Sequence, residues 1–234
     1  DWDYMVEMLA DEEPFWFPGT RNGYHMINFG WTVGELVRRV SGRSLGAFFR
    51  DEIAGPLGIE FWIGAPEEVE PRVAPVMMHA PKPGDPIGEF MMKIMTDPRS
   101  TQALSLLNTG GFDPNSRACH AAEIGGGGGI SNARGLAGMY APLACGGELG
   151  GVRLVDRAQL ARMGEVSVAT NEDATLLIPT RFSLGFMKSM DNRRRPRGAR
   201  DSAILSSAAF GHVGAGGSIG FADPELGMSF GYSM

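Results

Sequence analysis

Near the C-terminus two short apolar stretches, residues 217–222 and 227–232, flank the tripeptide Asp223-Pro224-Glu225. An aspartate opens a turn by accepting from backbone N–H groups ahead of it, and proline presets φ for the next corner. Apolar runs of strand length on either side of such a turn predict an antiparallel hairpin. The middle of the chain keeps a different period. Residues 2–10 carry Trp2, Met5, Val6 and Leu9 at helical spacing, and residues 24–40 place Ile27, Trp31, Val33, Leu36, Val37 and Val40 on one face with Arg38 and Arg39 on the wet one. Residues 84–107 read as helix split by Pro98, Ser131 or Asn132 caps a helix reaching about Ala144, and a short helix covers Arg157 to Met163. Phe182 to Lys188 reads as one strand. A helical middle that gives way to antiparallel strands predicts an α+β fold, not a doubly wound sheet. One domain over 1–234 is expected, mostly helical to about residue 165, with the sheet strands from about residue 180.

Composition narrows the function classes. A charged fraction of 21% and an apolar fraction of 43% suit a soluble globular chain, and no apolar run is long enough to span a bilayer. The net charge of -6 argues against nucleic acid as the main partner. Arg193-Arg194-Arg195-Pro196-Arg197 with Arg200 is the local exception and reads as a solvated loop. Cys119 and Cys145 make no disulfide framework, although a single pairing stays open. His25, His79, His120 and His212 lack the spacing of a helical zinc site, so no metal and no cofactor are expected. The run Gly125 to Gly129 lacks the Lys-Ser or Lys-Thr that a phosphate loop needs, and reads instead as tight turns and close backbone approaches. No signal peptide is visible, and a cytoplasmic location is expected.

Gly42-Arg43-Ser44-Leu45-Gly46 matches the G-x-S-x-G nucleophile elbow. That elbow needs a buried strand entering the serine. The preceding Glu35 to Val40 is helical in period and carries two adjacent arginines, so Ser44 reads as a helix cap between two helices.

Three further strings belong together. The first is Tyr24-His25-Met26, followed by a helix ending Val40-Ser41-Gly42 and then Pro56-Leu57-Gly58; the second is Gly128-Gly129-Ile130-Ser131-Asn132; the third is His212-Val213-Gly214-Ala215-Gly216-Gly217-Ser218 ahead of the hairpin. In this order they resemble the serine β-lactamase and penicillin-binding-protein superfamily, in its class C-like branch with the family VIII carboxylesterases. The resemblance covers roughly residues 14–234 and implies an antiparallel sheet with a helical subdomain. It implies acyl-enzyme chemistry on a small-molecule ester or amide. Tyr24 matches the family's tyrosine and His212 its strand Lys or His, while Ala215 matches an oxyanion-hole N–H donor. Gly214 would let substrate approach the strand, and Met26 sits where class C β-lactamases carry an asparagine that bonds the β-lactam side chain. Trp16 is a pocket wall or ordinary core, and His25 is structural or supports the site from behind.

The resemblance also requires S-x-x-K. Lys82, Lys93 and Lys188 have His79, Phe90 and Gly185 three positions earlier, so the motif is absent. The expectation is an incomplete domain, lacking N-terminal strands and the nucleophile helix, and a chain inactive by itself. Met26 and His212 point away from β-lactam substrates, since a thioether cannot replace an amide and a histidine is not a fixed cation. A serine hydrolase of esterase type leads. A non-catalytic binding or scaffold protein, and a β-lactamase or D-alanyl peptidase, remain as alternatives.

Overall fold

The computed structural model describes residues 1–77, 82, 84–108, 110–191, 193 and 206–234. His79, Arg194, Arg195, Arg197 and Arg200 lie outside the described residues, so the reading of the arginine run rests on Arg193 alone there, where the guanidinium pairs with Asp191 at 2.8 Å.

The chain divides into two compact units. One comprises residues 1–49, 62–130 and 172–178; the other comprises 50–61, 131–171 and 179–234. The first unit is helical. Helix α1 (Trp2–Asp11) is capped by Asp1, whose carboxylate accepts from the Tyr4 N–H. Helix α2 (Phe29–Ser41) ends where Gly42 takes φ 70 and returns its N–H to the Arg38 carbonyl. Three residues before it, Met26 opens a single 3-10 turn over Met26–Asn28, so Tyr24 precedes the helix instead of starting it.

The amphipathic reading of α2 needs correction. Val33, Leu36 and Val40 are exposed, and what the helix buries is Gly30, Gly34 and Glu35. The reason is polar and steric at once. Glu35 accepts from Trp2 Nε1 at 2.8 Å, from Arg38 Nε at 2.7 Å and from Arg39 Nε at 2.7 Å, which ties α2 to α1. A Cβ at Gly30 would strike the Gly125-Gly126 backbone, and one at Gly126 would strike the Ile27 carbonyl, so the glycine run lets two backbones touch just after the tyrosine segment.

Ser44 caps α3 (Leu45–Phe49) by accepting from the Ala47 N–H at 3.3 Å and donates to Glu123 at 2.8 Å. In the second unit, a π turn over Arg50–Ala54 leads into α4 (Gly55–Leu57), where Gly58 stops the helix at φ 63. A helix precedes Ser44, not a strand, so the nucleophile elbow is absent. Helices α5 (Glu89–Thr96) and α6 (Thr101–Leu107) flank Pro98, and the short α7 (Arg117–Ala121) follows them.

The short strands β1 (Phe61–Ile63), β2 (Gly129–Ser131), β3 (Glu148–Leu149) and β4 (Val152–Arg153) come first along the chain. They are followed by β5 (Val168–Thr170), β6 (Thr180–Phe182), β7 (Met187–Lys188), β8 (Phe210–Val213), β9 (Ile219–Asp223) and β10 (Met228–Tyr232), which form a six-stranded antiparallel sheet in the second unit, in order β10-β9-β8-β7-β6-β5. The expected strand from Phe182 to Lys188 is two strands: the Ser183 N–H bonds back to the Phe186 carbonyl at 2.8 Å and turns the chain. The C-terminal hairpin is in register from Met228 opposite Asp223 to Tyr232 opposite Ile219, and buried Asp223 accepts from the Glu225 and Leu226 N–H groups to set its turn. Helix α8 (Ala133–Ala144), capped by the Asn132 side chain, lies on β9 and β10. Close approach there is possible because Gly220 and Gly231 carry no side chain; a Cβ at Gly220 would strike the Tyr140 ring. The core of this unit joins Tyr140, Leu143, Leu160, Phe210 and Ala222, with Phe186 edge-on to Phe210 at 5.0 Å between centroids.

Among the described residues no helix is long and apolar enough to cross a membrane, and no group of three His, Cys, Asp or Glu could hold a metal ion. Cys119 and Cys145 are both free thiols.

Candidate active site

The residues singled out by the sequence fall into two groups, one in each unit. Tyr24, Met26 and Trp16 belong to the first. Tyr24 is half-buried in a segment outside every helix and strand, and its backbone N–H donates to Asp173 Oδ1 at 3.0 Å. Burial, and secondarily the Asp173 carboxylate, push the Tyr24 phenol above its usual range. These surroundings therefore favour the protonated hydroxyl. Met26 takes φ 50, a left-handed conformation that costs a non-glycine residue of order 1 kcal/mol or more. Such strain clusters at functional sites, and here it turns the chain sharply between Tyr24 and α2. Trp16 is half-buried, and a Cβ at Gly23 would strike its ring, so the indole is packed against the residue preceding Tyr24. His25 is exposed.

His212, Gly214 and Ala215 belong to the second unit. His212 is the third residue of β8, paired with Gly220 of β9, not at the strand's start. Its Nδ1 lies 2.7 Å from the Val213 carbonyl, which can only accept, so Nδ1 carries a proton and the neutral ring keeps its lone pair on Nε2. Burial pulls the imidazole below its usual range, against the opposing pull of that hydrogen bond. The strand then ends in a turn. The Gly214 N–H bonds the Ser218 carbonyl at 2.6 Å, and Gly217 bonds back to Gly214 at 3.0 Å. Ala215 is exposed at the tip, and its N–H has no partner among the described residues.

Sequence reasoning missed Asp173 and the loop 172–178 around it. Asp173 is separated from Tyr24 by 149 positions, so no spacing rule connects them. The local signal was Asp173-Ala174-Thr175, an Asp whose side chain can bond backbone two or three residues on, as it does to the Thr175 and Leu176 N–H groups.

The β-lactamase family profile matches residues 1–234. The chain belongs to the β-lactamase family. Among curated proteins, it is 31% identical over 230 residues to the esterase/β-lactamase LipL of Mycobacterium tuberculosis, covering 97% of this chain and 51% of that protein. Among solved structures, a family VIII carboxylesterase matches with TM-score 0.79 and 34% identity over 100% of this chain and 58% of its own. EstA from Arthrobacter nitroguajacolicus Rue61a matches with TM-score 0.80 and 31% identity, over 98% and 58% respectively. A penicillin-binding-protein homologue from Caulobacter crescentus matches with TM-score 0.77 and 31% identity, over 100% and 58%. The chain thus spans about half the length of its curated relative. Family membership and the α+β fold with its antiparallel sheet agree with the expectations drawn from the motifs.

Proposed function

We propose that this β-lactamase-family chain carries part of the acyl-transfer machinery of a serine hydrolase of esterase type, whose nucleophilic Ser and Lys lie outside residues 1–234. Both units are read as parts of one β-lactamase-like domain. The observation that carries the reading is the exit of β8, where a half-buried His212, its Nδ1 bonded to the Val213 carbonyl and its basicity lowered by burial, precedes the exposed Ala215. A backbone N–H in the turn that leaves a paired strand, with no partner among the described residues, is the kind of donor an oxyanion requires. A neutral imidazole beside it supplies hydrogen bonding and a basic nitrogen but no fixed cation for a carboxylate substrate, which supports small uncharged esters over β-lactams. Met26 points the same way, since its thioether offers no amide hydrogen bonds. Tyr24, held protonated by its surroundings until an activated nucleophile or a nearby cation changes them, is assigned the proton transfer to and from the reacting oxygen. Gly214 gives substrate access to the strand edge, and Trp16 walls the tyrosine segment.

The absence of S-x-x-K in this chain favours one second reading, a binding protein that keeps the fold without the chemistry. Turnover of p-nitrophenyl acetate and nitrocefin, by the 234-residue chain and by a longer chain that carries an S-x-x-K segment ahead of residue 1, separates the two. The expected result is no turnover by the 234-residue chain alone and ester hydrolysis far ahead of nitrocefin by the longer chain. Ester turnover by the 234-residue chain alone would reassign the nucleophile, and an inert longer chain would establish the binding reading.

A further inference from the structure

Loop 172–178 is fastened at three levels. Asp173 is fully buried, and four N–H donors converge on its carboxylate: Tyr24 N at 3.0 Å, Thr175 N at 3.0 Å and Leu176 N at 2.9 Å on Oδ1, and Asn22 Nδ2 at 2.8 Å on Oδ2. The backbones are also joined directly, because the Ala174 N–H donates to the Asn22 carbonyl at 2.9 Å. From α6, the buried Gln102 amide donates to the Ala174 and Thr175 carbonyls at 2.8 and 2.9 Å. The loop closes on itself through Asp173 N to Ile178 O and Leu177 N to Asp173 O, both 2.8 Å, with Leu177 forced to φ 58. Strain of that kind in a non-glycine residue persists only where the surroundings over-determine it.

Nothing regular fixes residues 22–24, which lie outside every helix and strand. We propose that Asp173 is the positioning residue of Tyr24: from inside this loop its carboxylate holds the Asn22 side-chain amide and the Tyr24 backbone N–H, and so sets where the phenol stands. The assignment of catalytic meaning rests on the esterase reading above; the clamp itself does not. The same carboxylate adds to burial in disfavouring the phenolate. Asp173 touches no reacting atom in this account and acts through Tyr24 alone.

The test uses the intact 234-residue chain and needs no turnover. Tyrosine ionisation is followed by ultraviolet absorbance, with Tyr24→Phe identifying the Tyr24 inflection among the four tyrosines. Asp173→Asn keeps the shape of the side chain and withdraws its charge, so the Tyr24 inflection moves to lower pH while the other three stay. Asp173→Ala releases the segment, and the inflection moves further in the same direction as water reaches the ring. In the longer chain that carries an S-x-x-K segment, Asp173→Ala lowers kcat for p-nitrophenyl acetate on the order of 100-fold with little change in KM, as expected for misplacement of a catalytic group. Asp173→Asn recovers most of that loss with a shifted pH profile. An unmoved Tyr24 inflection in both variants overturns the proposal, and so does failure of Asp173→Asn to fold by circular dichroism, which would leave Asp173 a purely structural residue. If the longer chain hydrolyses no ester at all, the esterase reading fails while the titration still decides the clamp.

Discussion

The tyrosine segment and the histidine strand are held in place by opposite means. His212 sits in a ladder: β8 pairs along its length with β9, and each side chain's direction follows from register. Tyr24 sits in no ladder, and its backbone is held by a side chain 149 positions away. A strand position is specified many times over by neighbours that repeat the same instruction. A loop position is specified by a few polar contacts, each of which matters. The lesson is that two candidate site residues can differ completely in how robustly the chain defines them.

Truncation variants of the 234-residue chain put that contrast to the test, and urea unfolding reads them. The largest loss is expected in the sheet unit. Phe210 is almost fully buried between Phe186 and the α8 residues, and Phe210→Ala should cost about 3–5 kcal/mol through lost transfer energy and the cavity left behind. Asp173→Ala should cost less, about 2–3 kcal/mol, because it leaves several N–H donors unpaired but removes little apolar volume. A larger loss at Asp173 than at Phe210 would mean that the polar clamp, not the sheet core, organises this chain.

The two units should also respond differently to acid. Arg38, then Trp2 and Arg39, hold the Glu35 carboxyl down to about 2. Because that folded value lies below the unfolded one, its contribution to stability is complete above the ordinary carboxyl range near pH 4.3 and is lost as pH falls toward 2. His212 is also shifted downward in the folded state, but as a base: the unfolded chain takes its proton first. Its contribution is complete above the ordinary imidazole value of about 6.5 and erodes as pH falls below it. Glu35→Gln should therefore flatten the lower acid limb and His212→Gln the upper one, measured as thermal midpoint against pH. A single limb insensitive to both variants would remove the contrast.

What the sequence made legible follows the same division. The hairpin, the Asn132 cap, the Gly42 stop and the two helices around Pro98 are local signals, and they hold. Ser44 was readable as a cap because the helix before it had a clear period. The outward face of α2 was not readable, because Val33, Leu36 and Val40 have the right spacing for a core and only tertiary partners reveal that Glu35 and two glycines occupy it. The break between β6 and β7 was hidden for a related reason: Ser183 to Phe186 is apolar enough to look continuous, and the turn is fixed by a backbone bond. Tyr24, Met26, Trp16, His212, Gly214 and Ala215 were nameable from motifs. The clamp on Tyr24 was not, since its partners are far apart along the chain.

The proposal that Tyr24 and His212 act in one ester hydrolysis is tested most directly by kcat/KM for p-nitrophenyl acetate in the longer chain carrying Tyr24→Phe, His212→Gln, or both. Residues that act as one unit are strongly non-additive, so the account predicts that each single variant loses most of the activity and that the double variant is little worse than the poorer single one. Losses that multiply, or either variant retaining full activity, would contradict it.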